Sequence, residues 1–293
     1  TDHFSNGYAE GNKWTVPEVD ARITSGWFWG NGKSTPKSME QLANMYFSSV
    51  GRNAPLLLNI PPNNKGTVDD AILNRVKEFG NAVKETFTNN IAAGKNVSCT
   101  ASEVRGNDIA YSPNNVLDGN QDTYWTTDDK TEATEATLEV NLGETKQFDV
   151  VSIEEAIKFG QRISEFKVEY KNGSDEWKVF GSGKTVGAKR LCRRSPVKAD
   201  KLRITVKTSE KAEHKAPIIS EVGVYRAAAD FALGNGIPEG LEIIEDTSKD
   251  FTFSGSWGND TGEAYTGGTG RWANPGNGTE ATVKFKGTKV WLL

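Results

Sequence analysis

Ala54-Pro-Leu-Leu-Leu-Asn-Ile60 is a short, unbroken apolar run that Pro61-Pro62 ends. It lacks the apolar–polar alternation of a half-buried strand. The pattern is that of a parallel strand covered on both faces, and parallel strands need long crossovers, usually helical, to reach their neighbours. The flanks supply helices. Thr35-Pro36 reads as a cap followed by a first-turn proline, after which Met39, Leu42, Tyr46 and Val50 recur at helical spacing. A longer helix is predicted from Thr67, with Asp69 and Asp70 in its first turn, where the dipole favours anions. Val68, Ile72, Val76, Phe79, Val83 and Phe87 form its buried stripe. Helix, strand, helix is one unit of a larger barrel or layered sheet, which a segment of about 75 residues does not close.

After residue 90 the chain changes character. Short alternating runs at 137–142, 147–153, 165–170, 177–181, 201–207 and 221–225 are separated by Gly/Asn/Asp turns. They read as an antiparallel β-sandwich. Residues 227–240 look like a linker, and a second Gly/Trp-rich β module begins near 241. The expected organisation is therefore 1–89, 90–226, a 227–240 linker and 241–293. Thr1-Asp-His3 shows neither an initiating Met nor a secretion signal, and the last residues, Val283–Leu293, alternate like a strand with no turn after them. Both ends are expected to be cuts in a longer protein.

Composition narrows the partners. Lys+Arg 35 against Asp+Glu 39 gives a net charge of −4, so no broad basic surface exists to neutralise phosphates, and nucleic acid is excluded as an expected partner. Mean hydropathy is −0.56 and no run approaches the roughly 20 apolar residues a bilayer helix needs, so no membrane insertion is expected. Cys99 and Cys192 allow at most one bridge, which spacing leaves open. His3 and His214 are isolated and read as solvent-facing.

The densest chemistry lies in Trp14-Thr-Val-Pro-Glu-Val-Asp-Ala-Arg-Ile-Thr-Ser-Gly-Trp-Phe-Trp29, which brings Glu18, Asp20, Arg22 and three Trp together. Sugars bind by stacking apolar ring faces on aromatics and by hydrogen-bonding hydroxyls to carboxylates, so the mixture suits a carbohydrate pocket. The alternative is core packing by the aromatics with a structural Glu18–Arg22 ion pair. Composition does not separate the two.

This segment, with Lys33-Ser-Thr-Pro36 and Val50-Gly-Arg-Asn-Ala-Pro-Leu-Leu-Leu-Asn-Ile-Pro-Pro62, resembles the C-terminal quarter of the catalytic barrel of family 29 glycoside hydrolases, the α-L-fucosidases. The resemblance implies a partial (β/α)8 barrel and a retaining mechanism, in which an Asp nucleophile forms a fucosyl-enzyme and a second carboxyl acts as acid and then base. The nucleophile would lie upstream of residue 1, on a missing N-terminal part of the same protein, leaving this chain inactive alone. Glu18 is the local candidate for the acid/base; more plainly, Glu18 and Asp20 would shape the pocket floor. Trp27 and Trp29 resemble the aromatics that face fucose or its aglycone. Fucosylated glycans are the implied partners.

The sandwich resembles the discoidin, or coagulation-factor type C, fold used as a carbohydrate-binding module. Asn115-Val-Leu-Asp-Gly-Asn-Gln-Asp-Thr-Tyr-Trp125 and Ile219-Ser-Glu-Val-Gly-Val-Tyr225 carry that resemblance. Oxygens at Asp118, Asn120 and Thr123 suit a hard cation such as Ca2+. The resemblance adds Glu221 and carbonyls near Asn115 and Asn120; the alternative is an ordinary Asp-Gly turn with a salt-bridged Glu221. Phe251-Thr-Phe-Ser-Gly-Ser-Trp257, Tyr265-Thr-Gly-Gly-Thr269 and Gly287-Thr-Lys-Val-Trp-Leu-Leu293 resemble the opening strands of another galactose-binding-like sandwich, a partial second one. These resemblances imply a secreted or cell-surface bacterial enzyme, with a non-catalytic glycan-binding or adhesion protein as the competing reading.

Overall fold

The computed structural model describes residues 7–8, 11, 15–130, 133–209, 214–232, 246–261, 269–274 and 278–284. His3, Trp14, the linker from Leu233, Tyr265 and the final segment from Phe285 lie outside them.

Two parallel strands, β1 (Val19–Arg22) and β2 (Leu56–Asn59), pair with Val19 opposite Leu56 and Arg22 opposite Asn59. Helix α1 (Met39–Ser49) connects them and α2 (Asp70–Thr88) follows. Helix α1 starts later than Thr35-Pro36 suggests. Its cap is Ser38, whose hydroxyl accepts from the Gln41 N–H at 3.2 Å while the Gln41 side chain accepts from the Ser38 N–H at 3.0 Å. This reciprocal pair satisfies two donors at once, and Pro36 lies instead in an extended bridge with Thr24. Helix α2 starts at Asp70, with Asp69 just outside it and its side chain turned elsewhere.

The expected burial of residues 54–60 on both faces holds for one face only. Leu58 packs with Ile23, Leu42 and Ile72 under the helices. Leu57 is 53% exposed on the opposite face, beside its register partner Asp20. The reason is that, among the described residues, this sheet has two strands, so the face Leu57 shares with Asp20 has no covering layer.

The second unit consists of β3 (Ser98–Ala101), β4 (Trp125–Thr126), β5 (Glu135–Glu155), β6 (Ile163–Lys171), β7 (Lys178–Gly183), β8 (Arg190–Thr208) and β9 (Ile218–Tyr225). Hydrogen bonding runs β4-β9-β5-β8-β6-β7, with β3 added to β5. The first half of β5 pairs with β3 and the second half of β8. After register shifts between Asn141 and Lys146 and between Phe148 and Val150, its second half pairs with β9 and the first half of β8. Such irregularities let long strands bend from one layer to the other. One core fills the space between the layers, including Trp125, Leu138, Phe148, Phe166, Leu202 and Val222.

The alternating runs at 137–142 and 147–153 are thus halves of one strand. The first half of β8 has no clear strand pattern because arginines interrupt it. Arg190 is nevertheless fully buried, its Nε and Nη2 donating to the Thr185 carbonyl at 2.9 and 2.7 Å, and Arg194 Nη1 donates to the Val179 carbonyl at 2.6 Å. Cys99 and Cys192 are buried in the core and no disulfide joins them. Burial pushes the Cys99 thiol up to about 12, the behaviour of a packing side chain.

The two units share a further core. Ala43, Phe47 and Ala82 of the helices pack against Val150 and Leu191 of the sandwich and against Phe231. The Phe231 ring lies 5.4 Å from Tyr46, 5.3 Å from Phe47 and 6.0 Å from Phe79 between centroids. The stretch read as the start of a linker therefore begins docked, held by a short 3₁₀ turn at Ala229–Phe231. Polar contacts complete the joint. Leu191 N–H donates to the Gly51 carbonyl at 2.9 Å, and Asn53 bridges the Val186 carbonyl (2.9 Å) and the Lys189 N–H (2.7 Å). Gly187, at φ 68°, makes room for Asn53: a Cβ there would stand 2.6 Å from its Oδ1.

Toward the C-terminus, β10 (Phe251–Ser254) pairs antiparallel with β13 (Glu280–Val283), and β11 (Gly258–Thr261) with β12 (Thr269–Trp272). Among the described residues no helix is long and apolar enough to cross a membrane.

Candidate functional site

The open face of the β1–β2 pair collects polar groups. Alternation places Ala21 and Leu58 toward the helices and leaves Asp20, Arg22, Leu57 and Asn59 on the other side. Just beyond the C-terminal ends of both strands stands the Trp-Phe-Trp segment. The Arg22 guanidinium lies over the Trp27 ring at 5.6 Å, and Asn59 Nδ2 donates to the Trp27 carbonyl at 2.9 Å. Trp27 is 41% exposed and Phe28 86%.

Trp29 is held differently. Its Nε1 donates to Asp69 Oδ2 at 2.7 Å, and the other oxygen of Asp69 accepts from Asn63 Nδ2 at 2.9 Å. Asn63 is itself anchored, its Oδ1 accepting from the Thr67 N–H at 3.1 Å. A charge-assisted bond to a braced carboxylate fixes the plane of the indole. The carboxylate expected to serve the helix terminus thus orients an aromatic 40 residues away. Sequence singled out Trp27 and Trp29 but not Asn59, which holds the first, or Asp69 and Asn63, which hold the second; an Asn/Asp-rich stretch after a strand end was the signal available.

Glu18 sits elsewhere. It is exposed, one residue before β1, where the Val19 N–H donates to the Pro55 carbonyl at 3.0 Å. That is the N-terminal end of the strand pair, opposite the end that carries Trp27 and Trp29. Asp20 is also exposed, two residues along, on the open face.

In the sandwich, the loop before β4 draws the predicted metal-site residues together. Asp118 Oδ1 accepts from the Asn120 N–H at 2.8 Å and its Oδ2 from Thr123 Oγ1 at 2.7 Å; Thr123 Oγ1 is also 2.8 Å from the Asn120 carbonyl. Gly119 provides the left-handed turn, φ 73°. Asn115 Nδ2 donates to the carbonyls of Ala110 (2.8 Å) and Tyr124 (3.1 Å), bracing the loop. Glu221 on β9 has a buried Oε1 with no hydrogen-bond partner. Burial raises its carboxyl to about 7, helped by the charges of Asp118 and Glu154 and opposed by the Asn120 and Gly119 N–H groups. Carboxylates crowded in this way, one with an orphaned buried oxygen, fit a site completed by a cation. Among the described residues no three Asp, Glu, His or Cys side chains form a metal group by themselves, so carbonyl and hydroxyl oxygens would have to share the load.

Beside this loop runs a line of aromatics that the sequence did not single out as a surface. Tyr111, Tyr124 and Phe159 follow one another at 5.6 and 5.2 Å between centroids, with Arg105 over Tyr111 and Lys158 over Phe159. Ile109 nearby is 84% exposed.

Comparison with known proteins adds to this geometry. Residues 98–222 match the F5/8 type C domain family. Alpha-L-fucosidase 1 of Arabidopsis thaliana is 36% identical over 226 residues, 76% of this chain and 43% of that protein. A span of that length reaches well beyond residues 98–222. A Ruminococcus gnavus GH29 fucosidase solved with fucose is 54% identical, with a TM-score of 0.72 over 77% of this chain and 44% of that one. The crystal structure of SpGH29 is 33% identical, with a TM-score of 0.69 over 78% and 47% of the two chains. The chain spans less than half the length of these relatives.

Proposed function

We propose that this chain, which carries an F5/8 type C domain and is similar over three quarters of its length to GH29 α-L-fucosidases, is the C-terminal part of a retaining enzyme that releases terminal α-linked L-fucose from glycans. One observation carries the reading: a parallel strand pair whose uncovered face bears Asp20 and Arg22 and whose C-terminal ends carry Trp27 and the braced Trp29. In (β/α)8 barrels the chemistry takes place at the C-terminal ends of the strands. Residues 1–89 would then be two strands of such a barrel, and the exposed Leu57 would meet side chains of strands carried on the missing N-terminal part.

In this arrangement the indoles stack on the sugar and exclude water from it, while Arg22 and Asn59 hold the Trp27 segment in place. Asp20 accepts from a sugar hydroxyl. Glu18 stands at the wrong end of the strand for proton transfer, so both catalytic carboxyls are assigned to polypeptide outside this chain. The F5/8 module binds a structural Ca2+ through Asp118, Asn120, Thr123, Glu221 and carbonyl oxygen near Asn115, and the protein works outside the cell. Calcium here supplies only charge compensation and loop order.

Purified alone, the 293-residue chain is expected to leave an aryl α-L-fucoside intact and to gain turnover when the missing N-terminal part of the barrel is co-expressed. Turnover by the chain alone would sink this assignment of the carboxyls. A second reading, a non-catalytic glycan-binding protein, is favoured by the Tyr111–Tyr124–Phe159 line. Glycan binding that Tyr111→Ala abolishes, with no turnover even after complementation, would support it.

A further inference from the structure

Where the α1–β2 connection meets the sandwich there is a cavity of about 470 Å³. This connection leads into the N-terminal end of β2, so the cavity lies at the opposite end of the strand pair from Trp27 and Trp29. Neither unit forms it alone. Val50 and Pro55 come from the α/β unit, and Ile157 and Ala188 from the module, giving an apolar lining.

Two of its three carboxyls are each paired with a lysine, and the third, Glu155, is held by three backbone N–H groups. Glu154 Oε1 is 2.8 Å from Lys189 Nζ, and Glu154 Oε2 accepts from Gln121 Nε2 at 2.9 Å. Asp122 Oδ1 is 2.9 Å from Lys158 Nζ. A phosphate or sulfate would have to pull Lys189 away from a carboxylate that is 7% exposed, leaving a nearly buried charge uncompensated. A hydroxyl meets no such obstacle, because it can donate to a carboxylate and accept from an ammonium or amide at the same time. Apolar walls with hydroxyl-compatible rims suit a sugar ring, and the volume lies in the range of small-molecule pockets, roughly 300–1,000 Å³.

We propose that this junction cavity is a second, non-catalytic binding site for a neutral saccharide of one or two units. Its hydroxyls bond to Gln121, Glu154, Lys158 and Lys189, and its ring lies against Pro55 and Ile157. A ligand that touches both units also stiffens their joint, since binding to the folded state alone adds to stability. The site does not depend on the fucosidase reading.

The test uses the full chain with galactose, N-acetylglucosamine, fucose, lactose and chitobiose as probes, followed by saturation-transfer NMR and calorimetry. At least one sugar is expected to bind with a Kd below about 10 mM. Ala188→Phe, which fills the cavity, and Gln121→Ala, which removes a donor, should each weaken it about tenfold, roughly one good hydrogen bond or ring contact; Tyr111→Ala should leave it unchanged. Melting curves check that the variants fold, and if Ala188→Phe does not, Gln121→Ala and Lys158→Ala decide. Binding by none of the five sugars overturns the proposal. So does binding that Tyr111→Ala removes and the cavity variants leave intact, which would place the sugar on the aromatic line, and so does competition by inorganic phosphate, which would make the site an anion site. No readout requires turnover, so failure of the fucosidase assignment would be seen separately.

Discussion

The α/β unit and the sandwich solve the burial problem in opposite ways. The sandwich closes on itself: β5 and β8 bend between its layers, and a continuous core from Ala92 to Val224 fills the interior. The α/β unit covers one face of its two strands with helices, leaves Leu57 and Asp20 uncovered on the other, and completes its packing by pressing Phe47 and Ala82 against Val150, Leu191 and Phe231. One unit carries its own stability; the other leans on it. The module is therefore a structural support for the α/β unit as well as a candidate glycan binder, and a free tether between them would not fit the buried Phe231.

The largest expected effect tests the self-contained half. Phe148→Ala should cost about 3–5 kcal/mol, through lost burial plus a cavity, read by urea denaturation. A cost near zero would mean the sandwich core is looser than its packing implies.

The next concerns Glu155, buried at the end of β5 and accepting from the N–H groups of Arg162 (2.7 Å), Ile163 (2.9 Å) and Gly187 (2.5 Å). Those bonds favour the carboxylate, but burial outweighs them and raises its carboxyl from 4.5 to about 7. The folded state therefore holds a proton that the unfolded chain has already released. The resulting stability is complete below pH 4.5 and is lost as the pH rises through 7, by at most about 3 kcal/mol. Melting temperature measured from pH 4.5 to 8 should fall accordingly, and Glu155→Gln should make the fall shallower, the remainder belonging to Glu221, whose carboxyl is raised to about 7 as well. A wild-type curve that rises over this window would show that the three N–H bonds prevail.

Calcium sharpens the comparison within the sandwich. If the cation occupies the Asp118 loop, a free concentration about 100-fold above its Kd stabilises the chain by about 2.7 kcal/mol, and Asp118→Ala abolishes the response while leaving the α/β unit untouched. Melting temperature with Ca2+ and with EGTA decides it; identical curves would return the loop to an ordinary Asp-Gly turn. The smallest effect is expected at Leu57, where Leu57→Ala should change stability by no more than about 0.5 kcal/mol, as exposed substitutions do. A loss of several kcal/mol would mean that the open face is covered in solution, closing the gap between the two units.

Much of this was legible from residue patterns. The apolar run before Pro61 marks β2, helical spacing marks α1 and α2, and alternation marks most of the sandwich strands, because each signal depends on neighbours within one or two turns of chain. The cap of α1 was misplaced because Ser38-x-x-Gln41 competes with Thr35-Pro36 and wins by satisfying more donors. The first half of β8 was missed because a buried arginine looks polar until its acceptor is known, and that acceptor, the Thr185 carbonyl, is supplied by the loop between β7 and β8. At the candidate site, residue types drew attention to Trp27, Trp29, Asp20 and Glu18, but strand direction was needed to place Glu18 at the N-terminal end of the strand pair and the two indoles beyond the other end.

Local order thus came from sequence: which segments are helix or strand, where Asp-Gly and Pro-Pro turn the chain, and which stretches concentrate aromatic and acidic groups. Tertiary structure alone decided that Asp69 grips Trp29, that Asn53 reaches across to Lys189 from 136 positions away, that Phe231 is a plug, and that two units together line one pocket. The physical reason is range. Propensity and periodicity act over a few residues, whereas a hydrogen bond or a ring contact between distant positions is set by how whole layers pack, and no short window of chain encodes that.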